Sequence, residues 1–250
     1  MSDQNQGFLK KYRVSAYECD YADRLKVGTV FDWFQDSMDE YSSVLGFGRD
    51  FCKSNGLSYI LRGYNVQIDD LPQWTDSVSM HTAVTNASST SFFIKQTLYD
   101  NQMKQRLLSS CGQVVLMDVK NGRPARVRDV LPSLPALAAP NAPLDGAPLL
   151  QKVDDVYEAV VPLDYIDFNQ HVNNSKYVIM AERGLSPELR KKIRLKRIAI
   201  AYKKGARLGD HLKIQTQLNP LSSWHQIVSK DNEQQVCARV AFAWDKQSRE

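Results

Sequence analysis

VSAYECDYADRL, Val14 to Leu25, and VPLDYIDFNQHV, Val161 to Val172, can be laid over one another, which sets Asp20 against Asp167 and Tyr21 against Phe168. Two further pairs of segments keep the same order along the chain. WTDSVSMHT (Trp74 to Thr82) aligns with LGDHLKIQT (Leu208 to Thr216) and pairs Asp76 with Asp210, while CGQVVLMD (Cys111 to Asp118) aligns with ARVAFAWD (Ala238 to Asp245). Each match is weak alone; their shared order marks two copies of one plan. Between the copies, DVLPSLPALAAPNAPLDGAPLL (Asp129 to Leu150) holds five of the ten prolines and has no helical or strand period, as a linker should. The chain is therefore read as one domain over 1–128, a linker over 129–150 and a second domain over 151–250.

Each copy reads as a helix followed by strands. Val30, Phe34, Met38, Tyr41 and Leu45 fall at helical spacing, Phe31 and Trp33 widen the apolar face, and Gly46 is placed to stop the helix. The alternating stretches SVSMHTAV (Ser77 to Val84), SFFIKQTLY (Ser91 to Tyr99) and QVVLMDV (Gln113 to Val119) read as strands. In the second copy a helix is expected from about Asn173 to Arg183. A shorter one follows Ser186-Pro187, an N-cap and a proline at the first helical position, with strands resuming at Ile198. A long helix followed by an antiparallel meander predicts a sheet wrapped around a helix, an α+β plan used twice.

The bulk numbers bound the function. A chain of 250 residues with 43% hydrophobic and 24% charged side chains can bury a sizeable core. No apolar run approaches the roughly 20 residues that cross a bilayer, and the amino terminus is polar from its first residue, so a cytoplasmic protein without membrane insertion is expected. Cys19, Cys52, Cys111 and Cys237 are far apart and form neither a CxxC pair nor a zinc spacing, so reduced thiols and no metal site are expected. A net charge of +4 carries no global nucleic-acid signature. Between Arg183 and Arg207, however, ten Lys or Arg face one acid, Glu188, which reads either as a solvated surface or as a docking patch for an acidic partner.

The densest polar cluster is Asp167-Phe168-Asn169-Gln170-His171-Val172-Asn173-Asn174, between the strand VYEAVVPL (Val156 to Leu163) and the second-copy helix. With Asn173 or Asn174 as N-cap, free helix N–H groups would point toward Asn169 and His171, a setting suited to an oxyanion. His171 could then take a proton from water while Asp167 or Asn169 orients it. The same residues also suit plain turn and capping chemistry. The first-copy counterpart, Cys19 to Arg24, lacks both the Asn and the His and so keeps the fold without the chemistry. His81, His211 and His225 have no partner at motif spacing and are read as structural or surface residues.

The octapeptide resembles the signature of acyl-ACP thioesterases, a family of double hot-dog enzymes in which a D-x-N-x-H-x-N-N stretch opens the helix of the second hot dog. The resemblance extends to YECDYADRLKVGTVFDWFQDSM (Tyr17 to Met38), the proline-rich linker and Asn121-Gly122-Arg123-Pro124. It implies a tandem hot-dog hydrolase that cleaves fatty acyl thioesters of acyl carrier protein, with Asp167, Asn169 and His171 on the thioester. It implies no cofactor or metal, and a homodimer stays open. The first domain would bind the acyl chain, with Trp33, Phe34 and Met38 either lining a tunnel or forming plain core. One departure stands out. Plant members carry a Tyr-x-x-Glu segment, often followed by Cys, and its acid helps to activate water; here the stretch is Tyr202-Lys203-Lys204-Gly205-Ala206, with Gly205 in place of the acid. An acyl-CoA thioesterase and a non-catalytic acyl-binding protein are the alternatives.

Overall fold

The computed structural model describes residues 7–131 and 147–246, which fall into two compact units, one on each side of the proline-rich stretch. In the first unit a strand β1 (Phe8–Arg13) precedes the helix α1 (Val27–Val44). A short α2 (Arg49–Ser54) leads into β2 (Leu57–Ile68), β3 (Ser77–Ala87), β4 (Ser91–Asp100), β5 (Arg106–Asp118) and the two-residue β6 (Arg123–Pro124), and α3 (Val127–Val130) ends the unit. The second unit has β7 (Asp155–Val160), α4 (Asn174–Arg183), α5 (Pro187–Arg190), β8 (Ile193–Tyr202), β9 (His211–Asn219), β10 (Ser222–Ser229) and β11 (Val236–Lys246).

The two sheets have one topology. Antiparallel pairing gives β1-β3-β4-β5-β2 in the first unit and β7-β9-β10-β11-β8 in the second, with β6 added to β5. In each the long helix packs on one face of the sheet, so the α+β hot-dog plan holds for both. Helix α1 runs longer than its apolar spacing suggests and buries Val30, Phe31, Trp33, Phe34 and Tyr41. It stops where Gly46, at φ 80°, donates its N–H to the Ser43 carbonyl. Phe31 and Phe34 meet Tyr64 of β2 at ring separations of 5.7 and 5.3 Å, which ties the helix to that strand.

The strand register corrects one of the three sequence matches. Gln96 lies opposite Thr82 and Ser110, and His225 lies opposite Thr216 and Val240, so Ser110 corresponds to Val240 and Leu108 to Ala238. The pairing of Cys111 with Ala238 is therefore three residues out of register. Both segments carry apolar residues at odd and even positions, and the period of two that should fix the register is blurred. A second correction concerns the basic run. Strand β8 begins at Ile193 rather than Ile198, so Arg194, Lys196 and Arg197 stand on a strand, where their charges hide its alternation. Most of the expected linker, 132–146, lies outside the described residues. Its first residues, Asp129 and Val130, complete α3, and Leu131 is buried in the first core.

Beneath each long helix sits a buried polar cluster at equivalent positions. In the first unit Gln96 Nε2 donates to the Phe34 carbonyl at 2.7 Å and to Ser37 Oγ at 3.2 Å, and Ser37 is hydrogen-bonded to Thr82. In the second, His225 Nδ1 meets Thr216 Oγ1 at 3.0 Å and Nε2 meets Ser223 Oγ at 2.8 Å, all three residues being buried. Gly184 replaces Ser37, because a Cβ there would stand 2.5 Å from Thr216 Oγ1. A neutral imidazole satisfies both hydroxyls, one as donor and one as acceptor; an imidazolium would need both to accept, far from water. Burial accordingly lowers the His225 pKa from 6.5 to about 3.

The sign follows from the unfolded state. A histidine of pKa 6.5 in the unfolded chain takes up a proton that the folded site refuses, so stability is fully present above pH 6.5 and is lost as pH falls from there toward about 3. The slope is about 1.4 kcal/mol per pH unit for one proton. His225→Gln, which copies Gln96, should flatten the loss between pH 6 and 4 by up to that slope. Urea unfolding of both proteins across that range measures it, and equal slopes would mean that His225 is not buried neutral.

Candidate functional site

Two turns carry the polar residues of the second unit, and each has a twin in the first. Asp167 N–H donates to the His171 carbonyl at 2.8 Å, Gln170 N–H donates to the Asp167 carbonyl at 3.0 Å, and Ile166 bridges to Val172. Inside this loop the Asp167 carboxylate accepts the backbone N–H of Asn169 at 2.8 Å and, more weakly, that of His171 at 3.4 Å. Gln170 is held at φ 62°, in the left-handed region. In the first unit Asp20 accepts from Ala22 N–H at 2.8 Å and Arg24 N–H at 3.0 Å, Asp23 sits at φ 61°, and Cys19 bridges to Leu25. The other turn behaves likewise, with Asp210 accepting from Arg207 N–H and Asp76 from Gln73 N–H, both at 2.9 Å.

The repeat separates the roles of the expected site residues. Asp167 does what Asp20 does in a copy that has Ala22 and Arg24 where the second copy has Asn169 and His171. Its carboxylate therefore acts on its neighbours through their backbone N–H groups and shapes the turn that presents Asn169 and His171. Asn169 is exposed, and Asp167 and His171 are half-buried. The expected oxyanion donors are largely taken. Asn173 is the N-cap of α4, its Oδ1 accepts Ser175 N–H at 3.0 Å, and its carbonyl accepts Lys176 N–H at 3.0 Å.

The second turn docks on the first through the segment that the sequence reading marked as divergent. Val172 N–H donates to the Ala206 carbonyl at 2.8 Å, as Leu25 N–H does to the Pro72 carbonyl. Gly205 lies directly against the imidazole, and a Cβ on it would stand 2.9 Å from His171 Cδ2. Gly205, which by the resemblance stands where plant members have their acid, thus lies beside the histidine, and any side chain there would have to displace the ring. Cys237, on β11, is buried with its thiol pushed up to about 11 by burial and by the nearby Asp210 charge, so it stays protonated and is a poor nucleophile. Cys19, Cys52 and Cys111 are likewise free, with raised pKa values. Among the described residues no group of three or more His, Cys, Asp or Glu could hold a metal ion, and no helix is long and apolar enough to cross a membrane.

His211 is an exposed residue at the start of β9, and His81 lies on β3 opposite Leu9. In the basic run, Arg190 pairs with Glu182 at 3.0 Å and Lys196 with Asp245 at 3.9 Å. Asn121 and Gly122 lie in a turn in which Asn121 donates to Asp118, and Arg123 and Pro124 form β6.

Comparison with known proteins gives matches over both units. The family model described as the acyl-ACP thioesterase N-terminal domain matches residues 5–133, and that described as the C-terminal domain matches residues 153–246. The chloroplastic acyl-[acyl-carrier-protein] hydrolase FATB3 of Cuphea viscosissima is 21% identical over 228 residues, 85% of this chain, and the chain spans 55% of that protein's length. Among solved structures, an oleoyl thioesterase from Lactobacillus plantarum has a TM-score of 0.89 at 18% identity, covering 98% of this chain and 99% of that one. The 12:0-ACP thioesterase from Umbellularia californica has a TM-score of 0.82 at 17% identity, covering 97% and 98%. At these identities the structural likeness shows a shared fold.

The turn makes a prediction about Asp167. Asparagine keeps an oxygen that can accept from the N–H groups of Asn169 and His171, whereas alanine does not. In a thioester-hydrolysis assay Asp167→Asn should stay near the wild-type rate, and Asp167→Ala should fall roughly tenfold or more below it as the turn loosens. Equal losses in both variants would mean that the negative charge itself is used.

Proposed function

We propose, for a chain that belongs to the acyl-ACP thioesterase family, that it hydrolyses fatty acyl thioesters of acyl carrier protein, releasing the fatty acid and the carrier's thiol for use in lipid synthesis. The observation that carries the reading is the second-unit turn, which sets Asn169 and His171 together where the first unit has Ala22 and Arg24. His171 takes a proton from water as the water oxygen bonds to the thioester carbonyl carbon. The Asn169 amide donates to the carbonyl oxygen as it gains charge. The C–S bond then breaks, and the imidazolium returns its proton to the leaving sulfur. Asp167 keeps both side chains in place through the turn.

The acyl chain is assigned to the first unit, whose α1 presents the larger apolar face. The carrier protein is assigned to the cations of α5 and the start of β8, where charge would steer an acidic partner. A second reading, acyl binding without turnover, is favoured by one feature, Gly205 in the place of the family's acid. The cytoplasm remains the expected compartment.

The test is turnover of a matched acyl-ACP and acyl-CoA series by wild type and His171→Ala. The variant should lose about 10²-fold to 10⁴-fold in turnover, the usual contribution of a positioned acid or base, while still binding acyl-ACP. Near-normal hydrolysis by His171→Ala would remove the mechanism. A wild-type protein that retains acyl groups but hydrolyses none of the thioesters would establish the binding reading instead.

A further inference from the structure

Tyr177, in the first turns of α4, is buried, and its hydroxyl accepts the N–H of Ala206 at 2.9 Å. Ala206 is itself buried, and its carbonyl accepts Val172 N–H, the residue after His171. Gly205, one residue earlier, touches the imidazole. A single side chain thus holds the backbone on which both the histidine ring and the end of its turn rest. The Tyr177 ring is fixed in turn by an edge contact to Tyr202 at 5.9 Å, and the Tyr202 hydroxyl donates to the Asn174 carbonyl at 3.2 Å.

The first unit shows what the arrangement is for. By the same register Ala206 corresponds to Pro72 and Tyr177 to Val30, all four being buried. Proline has no N–H to satisfy and its ring fixes φ, so the first unit needs no hydroxyl at the position of Val30. The second unit keeps a backbone N–H at Ala206, which would be costly to bury unpaired, and supplies the partner from the helix. The two differences occur together, and they occur in the copy that carries His171.

We propose that Tyr177 is a positioning residue for His171: its hydroxyl pins Gly205 and Ala206, and through them sets where the imidazole stands relative to the thioester. This rests on the hydrolase reading above. The pin acts on geometry rather than on substrate, so its loss should spare binding and reach the chemical step.

The test is Tyr177→Phe, which keeps the ring and removes only the hydroxyl. On the folded full-length protein, amide exchange at Ala206 should accelerate relative to amides of the β9 and β10 core. Turnover of acyl-ACP should fall about tenfold, as a small misplacement of a catalytic group does, with KM within twofold of wild type. The acid limb of the rate against pH should shift, because the environment of the imidazole has changed. Unchanged Ala206 exchange, or faster exchange with wild-type turnover and pH profile, would overturn the proposal. Those outcomes leave the hydrolase reading intact, whereas a wild-type protein inert toward every thioester fails that reading and not the hydrogen bond, which the exchange measurement reads by itself.

Discussion

One carboxylate accepting two backbone N–H groups is the interaction on which the second unit's site depends. Asp167 closes the loop from Ile166 to Val172, and the loop can then dock on the Ala206 carbonyl and feed directly into the N-cap of α4. A charged acceptor makes a stronger hydrogen bond than a neutral one, and here it holds a left-handed residue, Gln170, that the chain would otherwise avoid. The first unit solves the same local problem with Asp20. Each turn runs directly into the long helix of its unit, so the closure sets where that helix begins.

Because the two units share this frame, their differences show where each was free to change. Gln96 and His225 fill one buried position, and the residue above them on the helix is Ser37 in one unit and Gly184 in the other, with volume moved from one side chain to its neighbour. Such exchanges keep the packing density of an interior while changing its chemistry. Arg24 against His171 is different in kind. Arg24 pairs with Asp20 at 3.3 Å and so adds to the turn, whereas the imidazole contributes nothing of that sort to Asp167.

The parts of this structure that were legible in the sequence are those whose causes are local. Asp20, Asp76, Asp167 and Asp210 each bond to backbone within a few residues, so the repeats they anchor could be read from spacing. Gly46, Asn173 and the Ser186-Pro187 start act within one turn of a helix. Register between strands depends on partners far away in sequence, and the match of Cys111 to Ala238 slipped for that reason. The cluster of Thr216, Ser223 and His225 was invisible because it is assembled across two strands. The expected helix-end donors were misjudged because the same asparagine that starts α4 also satisfies them. Gly205 was read as a missing acid; only its contact with the ring shows that the bare backbone itself occupies that space.

All four cysteines are free, and in each the thiol is held above its ordinary pKa. Under the hydrolase reading proposed above, every turnover releases a free thiol, and a structural disulfide would be a standing target for exchange. This fold offers none: its two units are closed by carboxylates, hydroxyls and packed rings, all of them inert to thiols. Its protonated cysteines are correspondingly slow to attack a disulfide formed from two released carrier arms. The architecture is thus redox-silent toward such a thiol.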